Sequence, residues 1–440
     1  MEKGIFNNFY NYLKDYFENG HFKTAENEPA LIIQRRAAAF QVFKEKGIPS
    51  NKDEEWKYTN LNRLLKDDYK FHSLESQFQK VSVDIEGLDA CRVVLINGKF
   101  EPDLSHGLPE GVTFLDTRDV FANPQVADKI GTIADWEDNS MLAMNTAFFR
   151  DCYVLHVAAK TVITQPIHIT HIYTDHADAA FIPYRLFTVA EKLSESTLIE
   201  TFHSFTEKPV FVNYAVEQQV DEAAVFHTHM INTLGENIQF IHHREVQQFR
   251  NSVLNNSNIS LGNAALTRNN LNFRLKESNT ETNLIGTYIV SRKQHVDNHT
   301  IVDHQMPNCN SSELYKGILL DKAHGVFSGR IIVRPDAQKT NAFQQNKNLL
   351  LSDQATTDSK PQLEIFADDV KCSHGSTVGQ VDKEALFYLK TRGIGEETAS
   401  RLLVEAFVED VHSQINIPAL RDYVAGLLKE KLQAETLIIA

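Results

Sequence analysis

Two side chains two residues apart carry the most specific chemistry in this sequence: Cys372 and His374, within Asp369-Val370-Lys371-Cys372-Ser373-His374-Gly375. A thiolate sulfur and an imidazole nitrogen are the soft and borderline donors that suit iron, iron-sulfur species, zinc or copper. The run reads as a β-strand, in which alternate residues share a face, so both side chains point the same way. One strand then supplies half of a metal site, and the other ligands must come from elsewhere. The plainer alternative makes Cys372 a small buried hydrophobe, a common state of free cysteine.

Other residues invite chemistry and carry less. His227-Thr228-His229 places two imidazoles on one strand face, and His295, His299 and His304 fall within ten residues. An imidazole hydrogen-bonded on a sheet face accounts better for both groups. Asp297, Asp303 and Asp321 could act as acid or base in a glycan-cleaving enzyme, although scattered aspartates are more often turn formers. Trp56 and Tyr58, in Glu54-Glu55-Trp56-Lys57-Tyr58-Thr59-Asn60-Leu61, could hold a planar ligand, but aromatics at such a junction usually pack. Arg392-Gly393-Ile394-Gly395 resembles the hairpin of a DNA-binding module. Yet Asp382 to Ala440 holds 7 basic and 10 acidic residues, the wrong balance for phosphate. No G-x-x-x-x-G-K-[ST] loop occurs, so any nucleotide hydrolysis falls to a partner.

The elements that position Cys372 and His374 belong to a chain of 440 residues, enough for two or three units. With 42% hydrophobic and 23% charged residues the composition is globular. The 44 basic and 58 acidic residues leave a net charge of -14, which disfavours nucleic acid and anionic membrane. No run approaches the length of apolar sequence that spans a bilayer. Cys91, Cys152, Cys309 and Cys372 are far apart, so they form neither a disulfide framework nor a self-contained cluster motif. Met1-Glu2-Lys3-Gly4-Ile5 opens an amphipathic helix and lacks a secretory layout, so a reducing, cytoplasmic setting is expected.

Residues 1–80 read as a helical region: Phe6, Phe9, Tyr10, Leu13 and Phe17 recur at helical spacing, and a second helix covers about 28–46. Residues 81–150 are a mixed connecting region with a strand at Cys91 to Ile96 and no evident role. Residues 151–378 are almost all short strands. Leu271 to Lys276 alternates apolar and polar, and runs such as Thr197 to Phe202 and Gly325 to Val333 are similar. Residues 379–440 return to helix, over about 382–392, 396–413 and 418–433.

Without helices between them, the strands cannot form an α/β fold. Asparagine separates the remaining architectures. Ten asparagines lie between Asn251 and Asn283. Stacked coils let amide side chains form hydrogen-bonded ladders, and asparagine tolerates the left-handed corners that coils need. The expected fold is therefore a β-solenoid, or β-helix, with helical ends. The carboxy-terminal helices are expected to cover its open end, because an unpaired edge invites association.

Several ordered segments together resemble the SufB/SufD family, and within it the SufD branch, of the Suf iron-sulfur cluster assembly machinery. They are Glu54 to Leu61; His295 to His304 with Asn308-Cys309; Glu313-Leu314-Tyr315-Lys316-Gly317; Gly325 to Arg330; Gln344 to Ser352; Asp369 to Gly379; and Ala406 to Val411. SufB-like chains resemble this one but place a glutamate after the motif histidine, where Gly375 stands here. A length near 440 also fits the SufD branch.

The resemblance implies a right-handed parallel β-helix between amino- and carboxy-terminal helical regions. It implies a non-catalytic scaffold of the SufBCD complex that pairs with a SufB-like subunit and binds a SufC-like ABC ATPase through its carboxy-terminal helices. Cys372 and His374 match the motif positions and are expected to contribute to a transient cluster or iron shared with SufB, with His374 the better metal ligand. Flavin is possible at the level of the complex, and none of these groups is expected to be held permanently by this chain alone. A homodimer is possible for the isolated chain. The alternatives are a stand-alone β-helix enzyme acting on carbohydrate, or an independent metal-binding protein.

Overall fold

The computed structural model describes residues 7–22, 27–71, 83–175 and 178–434; the first residues of the predicted amino-terminal helix lie outside them. The strands fall into a ten-stranded and a nine-stranded sheet, and from Asp151 onward successive strands alternate between the two. A chain that changes sheet at every strand and pairs in parallel with the strand two places on is a two-sheet β-solenoid. Coil length varies: Gln239 pairs with Leu266, 27 residues on, and Asp151 with Tyr184, 33 on. That drift explains why no strict repeat shows in the sequence.

Asparagines of neighbouring coils pair with one another. Asn283 donates to Asn255 at 2.9 Å, Asn269 to Asn298 at 2.9 Å and Asn341 to Asn310 at 2.8 Å, each across neighbouring coils. One column of corners is left-handed throughout, with φ between 56 and 63 at Lys160, Leu193, Ala223, Asn251, Asn279, Asn308 and Lys339. From Leu193 onward each donates its N–H to a carbonyl of the following coil, ending with Lys339 to Asp369. Asparagine marks three of these corners in the sequence. At Leu193 and Ala223 the inter-coil bond outweighs a backbone cost of roughly 1–2 kcal/mol, so the residue type does not reveal the turn.

The amino-terminal helices pack on the outer face of the nine-stranded sheet. Helix Asn8–Glu18 drives Phe9 edge-on against Phe181 and Phe211, at 5.1 and 5.7 Å between ring centres. The mixed region acquires a role here. Strand Cys91–Ile96 extends the ten-stranded sheet and is closed by antiparallel Lys99–Phe100, while Val112–Leu115 closes the other sheet antiparallel to Asp151–Val157. These strands terminate the first end of the solenoid.

The second end departs from expectation. Helices Lys383–Thr391, Glu396–His412 and Pro418–Ala434 form as the periodicity predicts, but they do not cover the last coil. The apolar faces of the last two, with Val404, Val408, Val424 and Leu428, lie along the side of the ten-stranded sheet on Ile199, Ile231, Ile259, Ile289 and Ile318. Lys316 fixes the register by donating to the Phe407 carbonyl at 2.6 Å. An outward isoleucine column buries more apolar area than a polar end coil could, so the helices fold back along it.

Buried imidazoles make the fold acid-sensitive. Burial pushes His203, His229, His295 and His304 down to about 4, and His168 and His242 to about 3. A histidine lowered in the folded state contributes stability that is present above its unfolded value near 6.5 and lost as pH falls through the folded value. On the order of 3 kcal/mol is at stake for a shift of this size. Protonating a few such groups exceeds the stability of an ordinary domain. Denaturant midpoints followed by circular dichroism should fall steadily below about pH 6.5, with unfolding by about pH 4. A midpoint unchanged across that range would show that the imidazoles are not held neutral.

Candidate functional site at the open end of the solenoid

Among the described residues strand Lys371–Gly379 is the last in its sheet, paired in parallel with Asn341–Leu350 on one side only; strand Thr356–Ile365 is the corresponding edge of the other sheet. Lys371 donates its N–H to Thr340. Alternation along a parallel strand then turns the N–H and C=O of Cys372, His374, Ser376 and Val378 towards the open edge. The side chains of the same four residues point along the solenoid's inner face. The rim is apolar: Phe366 is 58% exposed, Val378 51%, and Phe343 and Ile365 are also exposed. A long unpaired edge beside exposed apolar side chains is a ready template for another chain.

Cys372 and His374 therefore share a face, as their spacing predicts, but differ in setting. Cys372 is half-buried against Ala342, Ile331 and Val333, and burial pushes its thiol up, so it rests protonated in the free chain. His374 is exposed. Among the described residues no group of three or more His, Cys, Asp or Glu side chains is placed to hold a metal ion.

Behind this edge the interior becomes polar. Ser376 donates to Ser359 at 2.7 Å, Ser359 to Asn346 at 2.9 Å and Asn348 to Asn346 at 2.7 Å, and the buried Tyr288 hydroxyl donates to Asn348 at 2.5 Å. In a second column, register places His374 against Gln344 and Gln344 against Glu313. Gln344 donates its amide to the Glu313 carboxylate at 2.6 Å, and burial pushes that carboxyl up to about 7. Neither Glu313 nor Gln344 stood out as functional in the sequence. The signal was present as spacings of 31 and 30 residues, but it is readable only once coil lengths are known.

The other sequence candidates become structural. The Thr59 hydroxyl donates to Asp297 and lies 2.8 Å from His295 Nε2, and Asp297 is buried against Arg268. His299 bridges Asp297 at 3.0 Å and Glu55 at 3.3 Å. The Arg268 guanidinium lies 3.7 Å over Trp56, which is 5% exposed. The Glu54 to Leu61 segment is thus a clasp holding the amino-terminal region on the solenoid, and Trp56 offers no face to a planar ligand. His304 bonds Ser311 at 2.9 Å, His229 bonds Ser257 at 2.5 Å and His227 lies 3.1 Å from Asn255. Asp303 accepts from Arg334 at 2.8 Å, and Asp321 from the Arg292 N–H at 2.8 Å, so the aspartates of a carbohydrate-cleaving reading are engaged in the framework. Gly393 and Gly395 sit at the break between helices Lys383–Thr391 and Glu396–His412.

A parallel β-solenoid closed at one end, open at the other and flanked by helical regions defines the class to which this molecule belongs. Comparison with known proteins narrows it. The family model for the SUF system FeS cluster assembly SufBD core domain matches residues 172–407, and that for the SufBD protein N-terminal region matches residues 7–169. An iron-sulfur cluster assembly SufBD family protein of Synechocystis is 30% identical over 432 residues, covering 93% of this chain and 92% of its own. The iron-sulfur cluster assembly protein SufD of Escherichia coli is 30% identical over 392 residues, covering 88% and 90%. SufD of Bacillus subtilis is 25% identical over 448 residues, covering 96% and 97%. The chain belongs to the SufBD family of iron-sulfur cluster assembly proteins, as a homologue of SufD.

Proposed function

We propose that this chain is a non-catalytic scaffold subunit that pairs through its open terminal coil with a SufB-like subunit and presents Cys372 and His374 to a cluster assembled between them. The observation that carries this reading is the unpaired edge itself. The residues whose backbone groups face outward are the ones whose side chains bear the thiol and imidazole, so a strand added there sets its own side chains beside them. Nascent iron or cluster is the cargo of this site, and soft and borderline donors suit it.

The helices supply a second contact. Phe387 is 68% exposed and Tyr388 is also exposed on helix Lys383–Thr391, and Leu402 is exposed on helix Glu396–His412, whose opposite face is already buried on the solenoid. In this reading they dock a SufC-like ATPase, which performs the nucleotide hydrolysis for which this sequence has no phosphate loop. Co-expression with SufB-like and SufC-like partners tests the assignment. The double substitution Phe387→Glu and Leu402→Glu should remove the ATPase from the co-purified complex while keeping the SufB-like subunit. Truncation of the helices is a poorer test, because it would uncover the isoleucine column. Retention of the ATPase by the double variant would move its docking surface elsewhere.

A further inference from the structure

The terminal coil contains an amide whose two ends are unequally engaged. Gln344 is 1% exposed, and its Nε2 donates to Glu313 at 2.6 Å. Its Oε1 is buried and has no hydrogen-bond partner among the described residues. An unpaired buried carbonyl is costly, of the order of a lost hydrogen bond, and asks for a donor. Among the described residues one strand lies beyond Gln344 in its sheet, and the residue in register on it is His374. Gln344 is fitted closely into this position: a Cβ at Gly329 would come within 2.2 Å of its Nε2. Above about pH 7, where Glu313 is mostly ionised and cannot donate, its carboxylate holds the amide nitrogen and leaves the amide oxygen as the free end.

We propose that Gln344, oriented by Glu313, is a positioning residue for His374: when the exposed imidazole turns inward along the shared face, the Gln344 Oε1 accepts one ring N–H and so commits the other ring nitrogen's lone pair to a metal ion. The inference rests on the reading of His374 as a ligand, and it adds the two buried residues that choose which nitrogen is offered. Metal-binding histidines generally have their second nitrogen held in this way, and loss of the holding group typically costs 10- to 100-fold in metal affinity.

Nitrogen-15 NMR of the full chain at about pH 8 reads the His374 tautomer directly. One tautomer should dominate in the native chain. Gln344→Met, similar in volume and lacking both polar ends, should return the ratio to that of a free histidine side chain. Glu313→Leu should do the same, whereas Glu313→Gln, which keeps an acceptor for the Gln344 amide, should restore most of the bias. A merely structural role would lower thermal stability in these variants without moving the tautomer ratio. An identical ratio in the native chain, Gln344→Met and Glu313→Leu overturns the proposal. Its failure is separable from that of the site. If His374→Ala abolishes cluster formation while the ratio does not respond to Gln344, the positioning role is wrong and the ligand reading stands. If the ratio responds but His374→Ala assembles clusters normally, the reverse holds.

Discussion

His374→Ala, introduced into the assembled complex, should reduce iron or cluster retention at least about tenfold while leaving the subunits associated. The expectation follows from where the side chain lies. His374 is exposed on the terminal strand, so its loss opens no cavity in this chain. Its backbone groups, which face the edge, are untouched by the substitution. Absorbance and electron paramagnetic resonance of the reconstituted complex report the cluster, and size-exclusion chromatography reports assembly. Loss of both would make His374 an interface residue rather than a ligand, and loss of neither would remove it from the site. Cys372→Ala should have the smaller effect. Its thiol is half-buried among apolar side chains and is held protonated, so it gives up less as a donor.

Ser376→Pro should disrupt pairing with the SufB-like subunit by about ten- to hundredfold, with the isolated chain still folded. Proline removes an N–H that points to the open edge, whereas the bonds of the strand to Asn341–Leu350 run through Lys371 and its odd-numbered successors. An acceptor left without its donor in a buried interface costs about 1–3 kcal/mol, and each 1.4 kcal/mol is about tenfold in affinity. Ser376 also donates its hydroxyl to Ser359, so Ser376→Ala serves as the control that removes the side-chain bond and keeps the edge donor. Pairing should survive the alanine and fail with the proline. Equal loss in both would place the effect in the polar interior instead of the edge.

Much of this architecture is legible in the sequence. Alternation at Leu271 to Lys276 marked a strand, asparagine density around Asn255 and Asn283 marked stacked coils, and the three carboxy-terminal helices were bounded to within a residue or two by their breaks at Gly393 and Pro418. What stayed hidden shares a physical cause. Corners at Leu193 and Ala223, the antiparallel closure by Val112–Leu115 and the direction in which the last helices fold are decided by bonds between distant segments. For the site, the pair Cys372 and His374 is local, because a strand's period of two displays it. The column Glu313, Gln344 and His374 is not, because it depends on the lengths of two whole coils. The expectation that the helices would cap the solenoid failed for the same reason, since outward isoleucines from five different coils form their seat only after winding. That failure leaves the terminal edge open, and the reading of this chain as one half of a pair depends on it.

Hydrogen exchange at the terminal strand tests that reading most directly. In the free chain the amides of Cys372, His374, Ser376 and Val378, which face the open edge, should exchange fast, and those of Lys371, Ser373 and Gly375 slowly. On binding the SufB-like subunit, the first set should become protected to the level of the second. If the complex forms and those four amides still exchange as in the free chain, the terminal coil is not the pairing edge and Cys372 and His374 are not part of a shared site.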